Sequence, residues 1–268
     1  MVSKFSLDGM AALVIGASNS IGRAIAVALG EADADVAVAT STLARSEEVL
    51  ANSCSNEIWA LNRKTFAQAI DSSDERDIEA LISRAASELG RLDILVNAQD
   101  LPFAQPVAET AFADWRRVMD VNLGGVFLAS RAAASVMLAQ GPSTSAGTEF
   151  RTGSGRIINV ASVLGERGMA NGAAHCAAQA GVLNLTRALA LEWAGNGINV
   201  NAIGAGWTEG MGIIGGDEGR QKLERYLPYK RLARPEEIAG VAVYLASETS
   251  AYLTGQVIWI EGGALSHV

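Results

Sequence analysis

The chain has 268 residues, of which 29 are acidic and 21 basic, giving a formal net charge of −8, and 49% of its residues are hydrophobic. That length suits one large α/β domain, and the acidic balance makes nucleic acid and anionic membrane surfaces unexpected partners. Two cysteines cannot build a disulfide framework and two histidines are too few for a histidine-rich metal site, so a reduced, cytoplasmic protein without a metal is expected.

The first residues, MVSKFSLDGMAALVIGAS, carry no signal-peptide cleavage pattern, and no run approaches the ~18 apolar residues of a membrane span. In chain order, strands are predicted at 11–16 (AALVIG), 35–40 (DVAVAT), 58–61 (IWAL), 93–98 (DILVNA), 156–162 (RIINVAS), 198–204 (INVNAIG) and 256–263 (QVIWIEGG). Helix-period stretches separate most of them, as at 21–32 and 75–90. Apolar strands alternating with amphipathic helices predict a parallel sheet covered on both faces. The expected fold is α/β, a single-domain doubly wound Rossmann fold over 1–268 with a seven-stranded parallel sheet flanked by helices. Its ligand crevice should lie beyond the strands' carboxyl ends. The polar stretch 140–155 (QGPSTSAGTEFRTGSG) reads as an exposed loop rather than a domain boundary.

VIGASNSIGRAIA (14–26) sets a glycine-spaced turn between the first strand and the first helix. Amides at such a helix start can cradle a pyrophosphate, and glycine lets the backbone come close to it. With this turn, DILVNAQD, VNLGGVF, GRIINVASVLG, GINVNAIGAG and YLTGQVIWIEGG, the chain resembles the short-chain dehydrogenase/reductase family over essentially its full length. The resemblance implies a nicotinamide cofactor held near Gly16, Ser18, Ile21, Gly22, Asp71 and Asn97. It also implies a catalytic tetrad at Asn122, Ser162, His175 and Gln179.

Two of those four positions depart from the family, which has a tyrosine where this chain has His175 and a lysine where it has Gln179. The first turn has Ile15 for threonine and Ser20 for its middle glycine. Gln99 and Asp100 interrupt the Asn-Asn-Ala-Gly run, Ala205 replaces the proline of Pro-Gly, and Gly210 stands for a threonine. After the second strand, Ala39-Thr40-Ser41-Thr42 offers neither the acidic residue expected for NAD nor an arginine for a 2′-phosphate.

In the family the tyrosine moves the hydroxyl proton, and the lysine lowers its pKa from near 10. Gln179 can bond a ribose hydroxyl but brings no charge. Neutral imidazole needs no lysine to act as a base, so His175 could work with Ser162, oriented by Asp100, Glu166 or Glu209. Because the departures fall on both the cofactor pocket and the proton-transfer pair, the expected function is a non-catalytic subunit of a heteromeric short-chain alcohol dehydrogenase. Such complexes in the family include one acting on a hydroxyacyl-CoA in aromatic degradation. On that expectation this chain binds no cofactor, and a homologous active partner in a hetero-oligomeric tetramer holds NAD or NADP. Two alternatives stay open. One is a non-redox lyase, hydratase or isomerase using Ser162 and His175; the other is an NAD(P)-dependent oxidoreductase with His175 replacing the tyrosine.

Overall fold

The computed structural model describes residues 4–141, 155–212 and 216–266. Its elements follow in the order β1 (Ala11–Ile15), α1 (Ser20–Glu31), β2 (Asp35–Ala39), α2 (Arg45–Ala60), β3 (Ala67–Gln68), α3 (Glu75–Leu89), β4 (Ile94–Asn97), α4 (Phe112–Met119) and α5 (Gly125–Gln140). There follow β5 (Gly155–Ser162), α6 (Ala173–Trp193), β6 (Ile198–Ala205), α7 (Gly216–Tyr226), α8 (Pro235–Ala246) and β7 (Val257–Ile260). The seven strands form one sheet in the order β3-β2-β1-β4-β5-β6-β7, and every pairing is parallel. The expected doubly wound seven-stranded fold is therefore present.

Strand alternation sorts the core into two layers. Ala12 and Val14 of β1 point to the layer shared with Ile25, Leu29, Ile238 and Leu245 of α1 and α8. Leu13 and Ile15 point to the other, shared with Ile78, Ile82, Met137 and Leu189 of α3, α5 and α6. All five β1 residues are buried, as a central parallel strand requires. The chain winds outward from β1 in one direction and from β4 in the other, so a crevice opens between the carboxyl ends of these two neighbours.

One predicted strand is a helix. Residues 58–61 end α2 and the residue after it, and the third strand is the two-residue β3 further on. Ala51, Cys54, Ser55 and Ile58 are buried at helical spacing, which a four-residue window around Ile58 does not reveal. The span 112–140 also departs from expectation. Joined by one wide π turn at Asp120–Gly124, α4 and α5 form a continuous helix that is long and apolar enough to cross a membrane, but half of its most apolar window is buried in the fold. Ala129, Ala133 and Met137 are committed to the core. Gln140 and Gly155 bound the predicted 140–155 loop, whose interior beyond Gly141 lies outside the described residues, as does His267.

Candidate active site

The turn after β1 is built by close approach. Gly16 has φ +89°, and a Cβ there would come within 2.5 Å of the Ala98 carbonyl carbon. A Cβ on Gly22 would come within 2.3 Å of the Gly16 oxygen. These glycines let α1 press onto the end of β4. Asn19 caps the helix, its Oδ1 accepting from the Gly22 amide at 2.9 Å, while its Nδ2 donates to the Ala98 carbonyl at 2.7 Å. Ser20 sends its hydroxyl to the Glu209 carbonyl at 2.9 Å, tying the turn to the loop after β6. A Cβ on Gly210, which has φ +83°, would sit 2.8 Å from that same Ser20 oxygen. Two departures that look independent in sequence are therefore complementary: Ser20 fills the space that a larger residue at 210 would need.

β5 and α6 bring the tetrad positions together. Ser162 at the end of β5 and His175 and Gln179, one turn apart on α6, all line one cavity of about 590 Å³. Gln179 Oε1 accepts the Ser162 amide at 3.1 Å. Ser162 Oγ accepts the Leu164 amide at 3.2 Å, which leaves its proton to donate. Asn122, in the wide turn, bonds the Leu101 backbone twice, accepting from N–H at 2.7 Å and donating to C=O at 3.1 Å. It also stands 3.5 Å from His175 Nδ1. Asn122 is thus a brace under the site and is not part of the cavity wall.

His175 is buried, and its Nδ1 lies 3.5 Å from Asp100 Oδ1. That oxygen is shut off from solvent while the Asp100 side chain as a whole is 31% exposed. Burial pushes the Asp100 carboxyl above its ordinary value, and the facing imidazole pulls it back down. Glu166 and Glu209 do not line the cavity, so Asp100 is the carboxylate that meets His175.

The same cavity reaches Ser18, Ile21, Ser46 and Leu50 on the β2 side and Met211 and Gly212 on the β6 side. Its volume lies in the range of small-molecule sites. Asp100 Oδ1, His175 Nε2 and both amide atoms of Gln99 are buried without a hydrogen-bond partner. Asp100 and His175 both line the cavity, and orphaned polar atoms on residues of one cavity wall mark a place for a ligand. The capped start of α1, set below the crevice, suits the pyrophosphate of a dinucleotide. The residues present therefore fit a nicotinamide cofactor, although no lysine or arginine lines the cavity among the described residues.

Not every expected residue reaches this cavity. Asn97 is buried in the sheet, donating to Ser130 Oγ at 3.1 Å and to Asn159 Oδ1 at 2.8 Å. Asp71 accepts from the amide and hydroxyl of Ser73 and stays within its own turn. Gly16 and Gly22 shape the turn without lining the cavity, whereas Ser18 and Ile21 do line it. Sequence reasoning missed Asn19, whose position before a helix is a capping signal, and Glu47 of α2, whose carboxylate accepts from Ser18, Ser41 and Thr42 and so ties the turn after β1 to the loop after β2.

The enoyl-(acyl carrier protein) reductase family profile matches residues 16–264. The 2-dehydro-3-deoxy-D-gluconate 5-dehydrogenase of Escherichia coli (strain K12) is 34% identical, over 99% of each chain. A Sinorhizobium meliloti 1021 structure assigned as a short-chain alcohol dehydrogenase superposes with a TM-score of 0.89 at 33% identity, over 99% of this chain and 100% of its own. Another, from Beutenbergia cavernae, is assigned as an NAD(P)-dependent gluconate 5-dehydrogenase and holds NADP at low occupancy. It gives a TM-score of 0.85 at 34% identity, over 98% of this chain and 100% of its own. These relatives overturn the expectation of a non-catalytic subunit: full-length matches are dehydrogenases, one of them with NADP bound. Exchange at the tetrad positions is not by itself loss: His175 and Asp100 stand together in the cavity wall.

Proposed function

Because the chain belongs to the short-chain dehydrogenase/reductase family, we propose that it is an NAD(P)-dependent oxidoreductase that interconverts a secondary alcohol and its ketone, with His175 as the proton-transferring group. One observation carries this: His175 lies in the wall of the cavity with Nε2 unpartnered and Nδ1 facing Asp100 at 3.5 Å. An imidazole that faces a carboxylate on one nitrogen and is unpartnered on the other has the arrangement of a general base.

A nicotinamide cofactor bound at the start of α1 and beside Gln179 would supply the hydride acceptor or donor for the carbinol carbon. The protein must hold the substrate oxygen and move its proton. Ser162 Oγ, which already accepts from the Leu164 amide, donates its proton to that oxygen. With Asp100 ionised, His175 gives its Nδ1 proton to the carboxylate and does not accept from Asn122 Nδ2, which stands at the same 3.5 Å, so Nε2 is the basic nitrogen and takes the hydroxyl proton. The Asp100 charge then stabilises the imidazolium. Gln179 has its oxygen committed to the Ser162 amide, so its Nε2 is the group available to donate to a ribose hydroxyl. The start of α1, with Ser18 and Asn19, would hold the pyrophosphate.

Substrate class follows from charge. No lysine or arginine lines the cavity among the described residues, so an anionic substrate would find no ion pair there. Pro102, Met211 and Gly212 line it beside the polar groups, which favours a neutral alcohol or ketone with an apolar body. The test is a panel of neutral secondary alcohols and matching hydroxy acids with NAD and NADP, followed by nicotinamide absorbance. Turnover of neutral alcohols that is lost in His175→Phe supports the assignment. Turnover that survives in His175→Phe removes His175 from the chemistry.

A further inference from the structure

The cavity wall holds one carboxylate and no cation to match it. Asp100 and His175 are its titratable side chains, and no lysine or arginine joins them among the described residues. Asp100 Oδ1 is shut off from solvent against His175 Nδ1 at 3.5 Å, while the rest of the side chain is partly exposed. Burial disfavours its ionised form, and a neutral imidazole supplies no full counter-charge. His175 stands in the first turn of α6, where the partial positive charge of a helix start favours a facing carboxylate. Gln179, where the family has a lysine, leaves the wall without an opposing charge.

A nicotinamide dinucleotide is a cation at its ring when oxidised and neutral there when reduced. Its pyrophosphate and adenosine are the same in both states. Whatever the start of α1 contributes to binding therefore cancels between them, and the difference rests on charges near the ring. Hydride exchange requires the ring to lie against the carbinol carbon, whose oxygen Ser162 and His175 hold. Asp100 stands on the far nitrogen of that same imidazole. A fixed negative charge at such range acts on an oxidised ring and has nothing to act on in a reduced one.

We propose that Asp100 sets the redox preference of this site: its charge strengthens the hold on the oxidised cofactor and leaves the hold on the reduced cofactor unaltered. The chain is thereby poised to take up an alcohol. During oxidation His175 gains the hydroxyl proton as the ring loses its charge, so Asp100 faces one cation before the step and one after it. This rests on the oxidoreductase assignment above, because it places the nicotinamide end of the cofactor beside His175.

The test is binding, without turnover, in mildly alkaline buffer where an imidazole is neutral. Oxidised NAD, NADH and ADP-ribose, which lacks the ring, are titrated into the full-length protein by calorimetry. The corresponding 2′-phosphorylated ligands form a second set, since the ratio within a set does not depend on that phosphate. Asp100→Asn should weaken the oxidised form by roughly three- to fiftyfold, the span for one charge felt across several ångströms. The reduced form and ADP-ribose should hold. Gln179→Lys adds the opposite charge to the same wall, and should lower the oxidised-to-reduced ratio likewise. Should Asp100→Asn fail to fold, Asp100→Ser and Gln179→Lys decide. A ratio that folded Asp100 variants do not change overturns the role of Asp100 and leaves the oxidoreductase assignment standing. Equal loss of all three ligands does the same, because it marks a packing role. A protein that binds neither dinucleotide of either set overturns both.

Discussion

His175 Nδ1 and Asp100 Oδ1 face each other at 3.5 Å, one from α6 and the other from the segment after β4. Neither residue is what the family's motifs call for at its position, and each supplies what the other lacks. The imidazole needs a group to fix its tautomer, and the buried carboxyl oxygen needs a donor. If this pair moves the proton, His175→Ala should lower turnover by roughly 10²–10⁴-fold while NADH binding holds. Steady-state rates beside a fluorescence titration check both halves. Loss of binding in step with rate would mean a packing role.

The Asp100 carboxyl also sets a pH dependence of stability. Burial raises its pKa in the folded state, with the imidazole opposing. Between the unfolded and the raised folded value, the native protein holds more protons than the unfolded chain, so stability falls as pH rises through that interval. Below the unfolded value the two states are protonated alike and the effect vanishes. Asp100→Asn should therefore gain on the wild type as pH climbs through the interval. Urea midpoints measured over a pH series test the sign, and a variant that loses ground as pH rises contradicts it.

Gly22 packs its α-carbon against the Gly16 carbonyl, and a methyl group there would sit 2.3 Å from that oxygen. Backbone on both sides leaves no side chain to yield. Gly22→Ala should cost about 1–3 kcal/mol of stability, the usual price of overpacking. Denaturant melts give the number directly, and an unchanged midpoint would show that the turn can open.

Ser20 and Gly210 should behave as one unit. Gly210→Ala places a methyl 2.8 Å from Ser20 Oγ in a backbone already at φ +83°. Removing the hydroxymethyl with Ser20→Gly relieves the contact but leaves the backbone strain. A double-mutant cycle should give a coupling energy of about 0.5–3 kcal/mol, with the double variant less damaged than the singles sum to. Strict additivity would show that the two changes are unrelated.

What could be read from sequence follows the range of the interactions involved. The alternation of apolar strands and helices gave the sheet, because burial on two faces imprints a local pattern on strands such as 11–15. Ile58 was misassigned because four apolar residues carry no period, and only the spacing back to Ala51 and Cys54 identifies the helix. Ser162, His175 and Gln179 were found from motif positions, and they do share one wall. Asn97 was placed with the cofactor but serves the core, since one strand position decides which side of the sheet a side chain meets. Glu47 could not be found from the β2 loop. Its partners Ser18, Ser41 and Thr42 come from two turns, and only the fold brings them to one carboxylate.

The bond from Ser20 to the Glu209 carbonyl spans 189 residues of sequence. One lip of the crevice is therefore made early in synthesis and the other late, and contacts of such separation close slowly. A chain halted before β6 can form its first turn and its capped helix, but it has nothing to set against them. Ligand can shield only the finished polypeptide from unfolding, because the partly made chain has no crevice to fill. The crevice is thus completed only in the last stage of the protein's synthesis.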